Sequence, residues 1–485
     1  MKMFRRFLWS SVTILLLSAA SLAAQTTGSG AGSTATPRQP SSSFKTSLSL
    51  GIGAETLNDP TLGGTGTFPV TYQMLTLAPD FRIGKLGVGL DIILNYRFNQ
   101  GTDIYGNPTN QVIYVRPQDW VPSSLTLQSV LALYLPKIRY VSWGQKGDPL
   151  YAKFGQLDST TLGNGFIVDG YTNTLFLPDQ RFFGFNFDLD GRLFNFPYVG
   201  FQSFADDVTT LDLAGGEFYV RPLAGLRTPV VNGLQLGLVA AVDRNPYKFL
   251  SQSQYPFAAT PPNPVAVIGG DLTLPLLSNP LFSVVAMGSI AREPESFGEM
   301  AGFRGRMFGL LTYTAQIRFL GNNFVPTYFD STYDAFRLQR YQIVTGQVSQ
   351  PASIGYLASL GFSILADRLL FDASVDGPFT APPAGSTSIT AYPHFKAIFE
   401  VKPGIVPGFS FDASYEKFMI QSIGSLGSTD DLFNPTNSVI AATVNYQTGP
   451  AVITLFYNLT YNPNAAPGTT PWQVTSGLGS SISLF

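Results

Sequence analysis

Residues 311–320 read LTYTAQIRFL, and residues 451–461 read AVITLFYNLTY. In the first stretch Leu311, Tyr313, Ala315, Ile317 and Phe319 alternate with Thr312, Thr314, Gln316 and Arg318. In the second, Ile453, Leu455, Tyr457, Leu459 and Tyr461 share one side, against Thr454, Asn458 and Thr460. Successive side chains of an extended strand face opposite ways, so each stretch has one apolar and one polar face. The pattern recurs from 44–57, 68–79 and 86–99, through 124–135 and 137–144, to 437–448, 450–462 and 471–485. A soluble sandwich needs only a few such strands. So many, each near the length that crosses a bilayer when tilted, predict an all-β chain folded as a transmembrane antiparallel β-barrel of about 18–20 strands.

Composition agrees. Charged residues make up 12% of the 485, against about 25% in ordinary soluble domains. Aromatic residues reach 13%, and there is no cysteine, which excludes a disulfide framework and any thiolate metal site. No apolar run after the N-terminus is long enough for a spanning helix. The connections alternate between short ones, such as 278–280, 366–368 and 447–450, and longer ones at 100–123, 244–264, 377–388, 419–436 and 462–470. Short turns at one rim and longer loops at the other are the asymmetry of such a barrel. Tyr96, Phe98, Tyr415, Phe418, Tyr446, Tyr457 and Tyr461 sit near strand ends, where an aromatic girdle meets the headgroups.

Lys2, Arg5 and Arg6 precede the apolar run Phe7–Leu17, and small residues follow up to Ala24. This reads as a signal peptide over 1–24, followed by a flexible leader over 25–42 and the barrel over 43–485. Cleavage removes those three cations and moves the formal net charge from −2 to −5. No basic patch points to nucleic acid.

The polar faces are expected to line a wet lumen, because polar groups at membrane depth need water or a partner. The pore-lining candidates are Asp91, Arg97, Asp188, Asp190, Arg318, Asp372, Asp376, His394, Lys396, Asp412 and Glu416. Asp243, Asp271 and Glu400 fall on the same faces, so acids outnumber bases there, with Asp243 also readable as a turn residue. Two segments break the rhythm. Residues 157–181 contain Gly163, Asn164, Gly165 and Gly170, and read equally as a loop folded into the barrel or an external loop. Residues 321–346 carry a short helical pattern and mixed charges. The constriction candidates are Arg304, Arg306, Asp330, Asp334, Arg337 and Arg340, because opposed charges across a narrow point orient a passing solute. His394 is the one histidine in the chain, and no metal cluster, phosphate loop or cofactor motif accompanies it. The chain therefore reads as a non-enzyme without cofactors.

The chain ends GLGSSISLF, with Phe485 last. With the signal peptide, the alternation and the absence of cysteine, it resembles a bacterial porin-like outer-membrane protein. Leu478, Ile482 and Leu484 alternate on the face opposite Phe485, so the last strand carries a bulge or a degenerate terminal signal. The resemblance implies an outer-membrane location, surrounding lipids, insertion by the barrel assembly machinery reading Phe485, and passive diffusion of small hydrophilic solutes. The acidic surplus predicts mild cation selectivity. Two alternatives stand beside this: a structural or adhesin-like barrel with a closed lumen, and a transporter of apolar solutes. A homo-oligomer follows from analogy with general porins and from no residue of this chain.

Overall fold

The computed structural model describes residues 45–60, 67–99, 112–228, 230–250, 262–365, 368–421, 429–463, 465 and 470–483. The signal peptide, the leader and Phe485 lie outside them. The strands are β1 (Lys45–Pro60), β2 (Thr67–Ile83), β3 (Leu86–Leu90 with Ile92–Asn99), β4 (Val112–Val115 with Ile138–Trp143) and β5 (Leu150–Gly155). They continue as β6 (Gly184–Asp190), β7 (Val199–Ala205), β8 (Leu213–Val220), β9 (Gln235–Asp243) and β10 (Val265–Ser278). Next come β11 (Phe282–Arg292), β12 (Phe297–Met307), β13 (Leu311–Leu320), β14 (Ser353–Ile364) and β15 (Leu369–Pro378). The last five are β16 (His394–Val406), β17 (Phe409–Lys417), β18 (Ser438–Thr448), β19 (Ala451–Tyr461) and β20 (Trp472–Ser483). Each pairs antiparallel with its neighbours in sequence, and β20 returns to β1 from Ser49↔Ser483 to Thr56↔Ser476. The sheet is thereby a closed barrel of twenty strands.

The register places the two faces as the alternation predicts. Ile317 and Leu455 are exposed on the outer face, at 41% and 50%, and Arg318 on the inner face is buried. Phe98, Tyr446 and Tyr457 stand outward with them. Phe418 does not: the chain turns inward just after β17, and its ring lies in the lumen, 4.5 Å from Phe336 and 4.1 Å from His394. Pairing of β19 with β20 runs unbroken from Ala451↔Ile482 to Tyr461↔Trp472, with Leu478 and Ile482 outward, so this stretch contains no bulge.

One expected strand is a helix. Residues 124–135 contain α1 (Leu127–Tyr134), capped where the Thr126 hydroxyl accepts from the Ser129 N–H at 3.3 Å. Its Leu, Gln and Ala residues favour helix over the β-branched types of a strand, and the cap starts it. The helix lies in an insertion that splits β4. Val112–Val115 pairs with the upper half of β3 and Ile138–Trp143 with the lower half. Beside it, β5 to β7 have only six or seven residues each, short of the ~9–11 that span a bilayer. Gln128 Nε2 of α1 reaches across to donate to the Thr209 carbonyl at 3.1 Å, above β7 and β8.

The lumen is not lined by polar residues throughout. Phe204, Leu213, Val239, Ala241, Val265, Val267, Met287 and Met300 face inward from β7 to β12 and are buried. They form one apolar cluster with Leu162, Phe166, Val168 and Tyr171 of one inward segment and Phe324, Tyr328, Phe329 and Phe336 of another. An apolar inner wall is stable there because protein, and not water, covers it.

Replacing Leu455 by Arg is expected to cost about 2–4 kcal/mol of folding stability, while Arg at Thr454 costs much less. Refolding titrations into lipid vesicles measure both. Equal penalties contradict the assignment of faces, since a one-residue slip exchanges them.

Candidate functional site

Both rhythm-breaking segments fold into the barrel. The first leaves the top of β5 and is pinned to the wall at Gly163 and Asn164. The Gly163 N–H donates to Glu217 Oε2 at 2.9 Å, and the Asn164 N–H to Asp271 Oδ2 at 3.1 Å. The Asn164 side-chain amide donates to the Leu272 and Gly288 carbonyls at 2.9 and 3.1 Å. Gly163 has φ +56°, and a Cβ there would lie 1.6 Å from Asp271 Oδ2, so no other residue fits this approach. The segment then crosses to the opposite wall. Asp179 accepts from the Asn58 N–H at 2.8 Å and from Gln473 Nε2 at 3.2 Å, and Arg181 pairs with Asp91 at 2.7 Å.

The second segment runs from 321 to 352 and carries α2 (Tyr333–Val344). Phe329 and Asp330 pair in parallel with Val168 and Asp169, so the two segments form one inner body. Arg337 holds that body to the wall. Its Nε and Nη2 donate to the two oxygens of Asp243 at 2.8 and 2.5 Å, and Tyr333 donates to the same carboxylate. The Arg337 and Asp243 side chains are 3% and 0% exposed. Asp243 also accepts from the Asn245 N–H at 2.8 Å, so it serves the turn as well as the lumen. Burial pushes the Asp334 carboxyl up to about 6, against the opposing pull of Arg337 and Lys248. Burial likewise raises Glu293, which accepts from the Val325 N–H at 2.9 Å.

Between α2 and the wall of β13 to β17 lies a cavity lined by both. It collects many of the residues expected in the pore. Asp376 takes Arg318 at 3.3 Å and His394 Nδ1 at 2.9 Å. Lys396 pairs with Glu416 at 2.6 Å, and Ser331 of the inner body donates to Glu416 at 2.6 Å. Arg340 pairs with Asp330 at 2.5 Å and braces the Tyr328 carbonyl at 2.7 Å. A second cavity lies by Asp334, Arg337 and Leu338 and opens toward β19 and β20.

The other candidates are dispersed. Asp188 pairs with Lys146 at 2.9 Å, and Asp190 with Arg221 at 2.8 Å, near the rim opposite the inner body. Arg97 stacks 4.8 Å over the Tyr114 ring. Arg304 shares the inner face of β12 with Arg306. Arg306, next to the turn at 308–310, is exposed at the far rim and apart from the other constriction candidates. Asp372 and Asp412 make no ion pair among the described residues. A further polar group on the β1–β4 side was not foreseen. There Arg116 bonds Asp59 and Asp119, each at 2.7 Å, and Asn95 donates to Asp119 at 3.1 Å. Arg116 ends the VIYVR run, and a cation after four apolar residues was the available signal.

The fold defines a class: a closed, porin-like antiparallel β-barrel with an inner body built from its own loops. Among solved structures the chain is similar to Pseudomonas aeruginosa OccK2 (OpdF), at 12% identity and a TM-score of 0.32, covering 91% of this chain and 98% of that one. It is similar to P. aeruginosa OpdK with vanillate, at 11% identity and 0.32, over 91% and 98% of the chains. A BenF-like porin from Pseudomonas fluorescens Pf-5 matches at 9% identity and 0.31, over 91% and 98%. No protein-family model matches the chain, and no curated protein does.

Truncating Arg337 to Met strands the Asp243 charge in a buried site, for an expected loss of about 3–5 kcal/mol in the attachment of α2. Limited proteolysis within 321–352 reads it. Adding Asp243→Asn should recover much of the protection, and a protease-resistant single variant contradicts the anchoring role.

Proposed function

We propose that the chain is an outer-membrane channel through which small hydrophilic solutes diffuse passively, delivered by its signal peptide and inserted by recognition of Phe485. The observation that carries this reading is the cavity between α2 and the β13–β17 wall, lined by charged and hydroxylated side chains. Buried charges at this density need water or polar partners, which suits an aqueous path. They argue against a path for apolar solutes, which would leave them unsolvated. His394 bonds Asp376 and stacks on Phe418, which suits a place in the wall's polar network.

The channel is weakly cation-selective in this reading, more weakly than the count along the strands suggests. Arg181, Lys146, Arg221 and Arg337 come from segments outside the strands and neutralise Asp91, Asp188, Asp190 and Asp243. The surplus that remains rests on wall acids such as Asp372 and Asp412. Screening over about 8 Å at physiological salt keeps its effect mild.

Reversal potentials across a KCl gradient in planar bilayers test this. Wild type should favour K⁺ modestly, and Asp372→Asn with Asp412→Asn should bring the preference close to none. Clear anion selectivity contradicts the selectivity reading. Absence of any conductance contradicts the channel and favours the closed-lumen structural barrel.

A further inference from the structure

The strands leave a gap in one sector of the wall. β5 to β7 stop after six or seven residues, in the half of the barrel nearer the short turns. The chain leaves the wall at Gly155, where φ is +116° and a Cβ would lie 2.3 Å from the Arg139 carbonyl oxygen, and rejoins it at Gly184. Above these short strands, Val112–Val115 of β4 pairs with β3 along one edge. Among the described residues no strand pairs with its other edge. Residues 116–137 occupy the gap between that edge and the tops of β5 to β7, reaching the Thr209 carbonyl above β7 and β8. An open sheet edge cannot face hydrocarbon, and a helix, whose backbone bonds are internal, covers one without adding strands.

This insertion is firm at its base and lightly held at its far end. At the base Arg116 bonds Asp59 and Asp119, each at 2.7 Å. There too Lys137 Nζ donates to the Asp119 carbonyl at 2.7 Å, and the Asp91 N–H to the Lys137 carbonyl at 2.8 Å. The Tyr134 hydroxyl donates to the Trp120 carbonyl at 2.9 Å, and Lys137 Nζ lies 3.8 Å over the Trp120 ring, so the insertion holds together as one piece. At the far end, the tie among the described residues is the bond from Gln128 Nε2 to the Thr209 carbonyl, at 3.1 Å. No residue of α1 is buried. Leu127, Leu131 and Tyr134 form an exposed face, and Ala132 and Leu133 on the opposite side are only half-buried. A segment without buried apolar contacts opens at lower cost than the paired wall around it. The helix reads LQSVLALY and holds no charge, so an apolar molecule passing it strands no ion. We propose that residues 116–137 form a panel hinged at its base, through which apolar solutes entering at the long-loop rim pass sideways from the lumen into the bilayer. This route lies in a different sector from the charged cavity at β13–β17 and does not depend on the axial path.

The chain contains no cysteine, so Gln128→Cys with Thr209→Cys introduces one reactive pair, which a short bis-maleimide joins to lock the panel. The probe is N-phenyl-1-naphthylamine, an apolar dye that fluoresces on reaching hydrocarbon, added to intact Gram-negative cells carrying the full chain. These cells should take up the dye several-fold faster than cells without the chain. Locking should return the rate to that of cells without it, while each single-cysteine variant, treated alike, keeps the wild-type rate. Conductance of the locked barrel in planar bilayers should equal that of the unlocked one. A second variant acts in the opposite sense. Replacing 121–134 by a short Gly–Ser linker, with folding verified by heat-modifiable mobility, should raise dye uptake above wild type. Uptake no faster than in cells lacking the chain overturns the proposal, whether or not the barrel conducts. Uptake unchanged by locking overturns it equally. If the reagent does not join the pair, uptake unchanged by the 121–134 replacement overturns it. A lock that lowers conductance together with uptake assigns the dye to the axial path and also overturns it.

Discussion

A sheet surrounded by hydrocarbon cannot leave an edge. Each unpaired N–H or C=O there has no water to bond, so the strands must close on themselves. The pairing of β20 with β1, from Ser49↔Ser483 to Thr56↔Ser476, completes that closure. Everything else follows from it. Closure fixes which face of every strand is outside, and the apolar set at Ile317, Leu455 and Leu478 occupies that face. The polar set must then share an interior. Twenty strands enclose more space than side chains alone can fill. The interior must therefore hold water, or protein, or both.

In this chain it holds both. The two inward segments cover the wall from β7 to β12 with an apolar core, and the side from β13 to β17 stays polar and open. The Arg337–Asp243 pair does not make the inner body stable by its own charge, since two ions taken from water lose as much solvation as they regain in attraction. Apolar burial of Tyr328, Phe329, Tyr333 and Phe336 supplies the attraction. The ion pair sets where the body sits, because any other position leaves a buried charge alone. The pins at Gly163 and Asn164 act the same way for the first segment, through backbone N–H groups that need Glu217 and Asp271 as acceptors. Passage, in the proposed reading, depends on what these fixed bodies leave open.

Strand periodicity made most of the wall legible, because burial on one face writes itself into alternate residues. LTYTAQIRFL and AVITLFYNLTY read the same way in sequence and in space. The errors have local causes. In 124–135, Leu125, Leu127, Leu131 and Leu133 imitate alternation, and the Thr126 cap that starts a helix is visible only when helix formers are weighed against pattern. Val112–Val115 has four residues, too few to show a period. The inward folding of 157–181 depends on Glu217 and Asp271, which lie far along the chain, so composition alone left it open. One signal was present and unused: in QLGLVAAVD, Leu236 to Val242 has no polar alternation, and a strand apolar on both faces needs protein on its inner side as well. The constriction candidates divided for a related reason. Arg337 and Arg340 come together with Asp330 and Asp334 because one inward segment carries all four, whereas Arg306 is set on a strand that takes it to the other rim.

The most direct test removes the second inward segment, α2 included, and leaves the wall. Asn323 and Gln350 already meet, with the Asn323 N–H on the Gln350 carbonyl and the Gln350 N–H on Asn323 Oδ1, each at 2.8 Å. Excising 324–349 and joining these two residues through a short Gly–Ser linker should therefore spare β13 and β14. Single-channel conductance of the refolded barrel is the measurement. If a water-filled path runs past α2, the excised barrel conducts several-fold more current than wild type, and wild type itself conducts. Equal conductance in the two proteins, or none in either, contradicts a channel narrowed by its own inward loops.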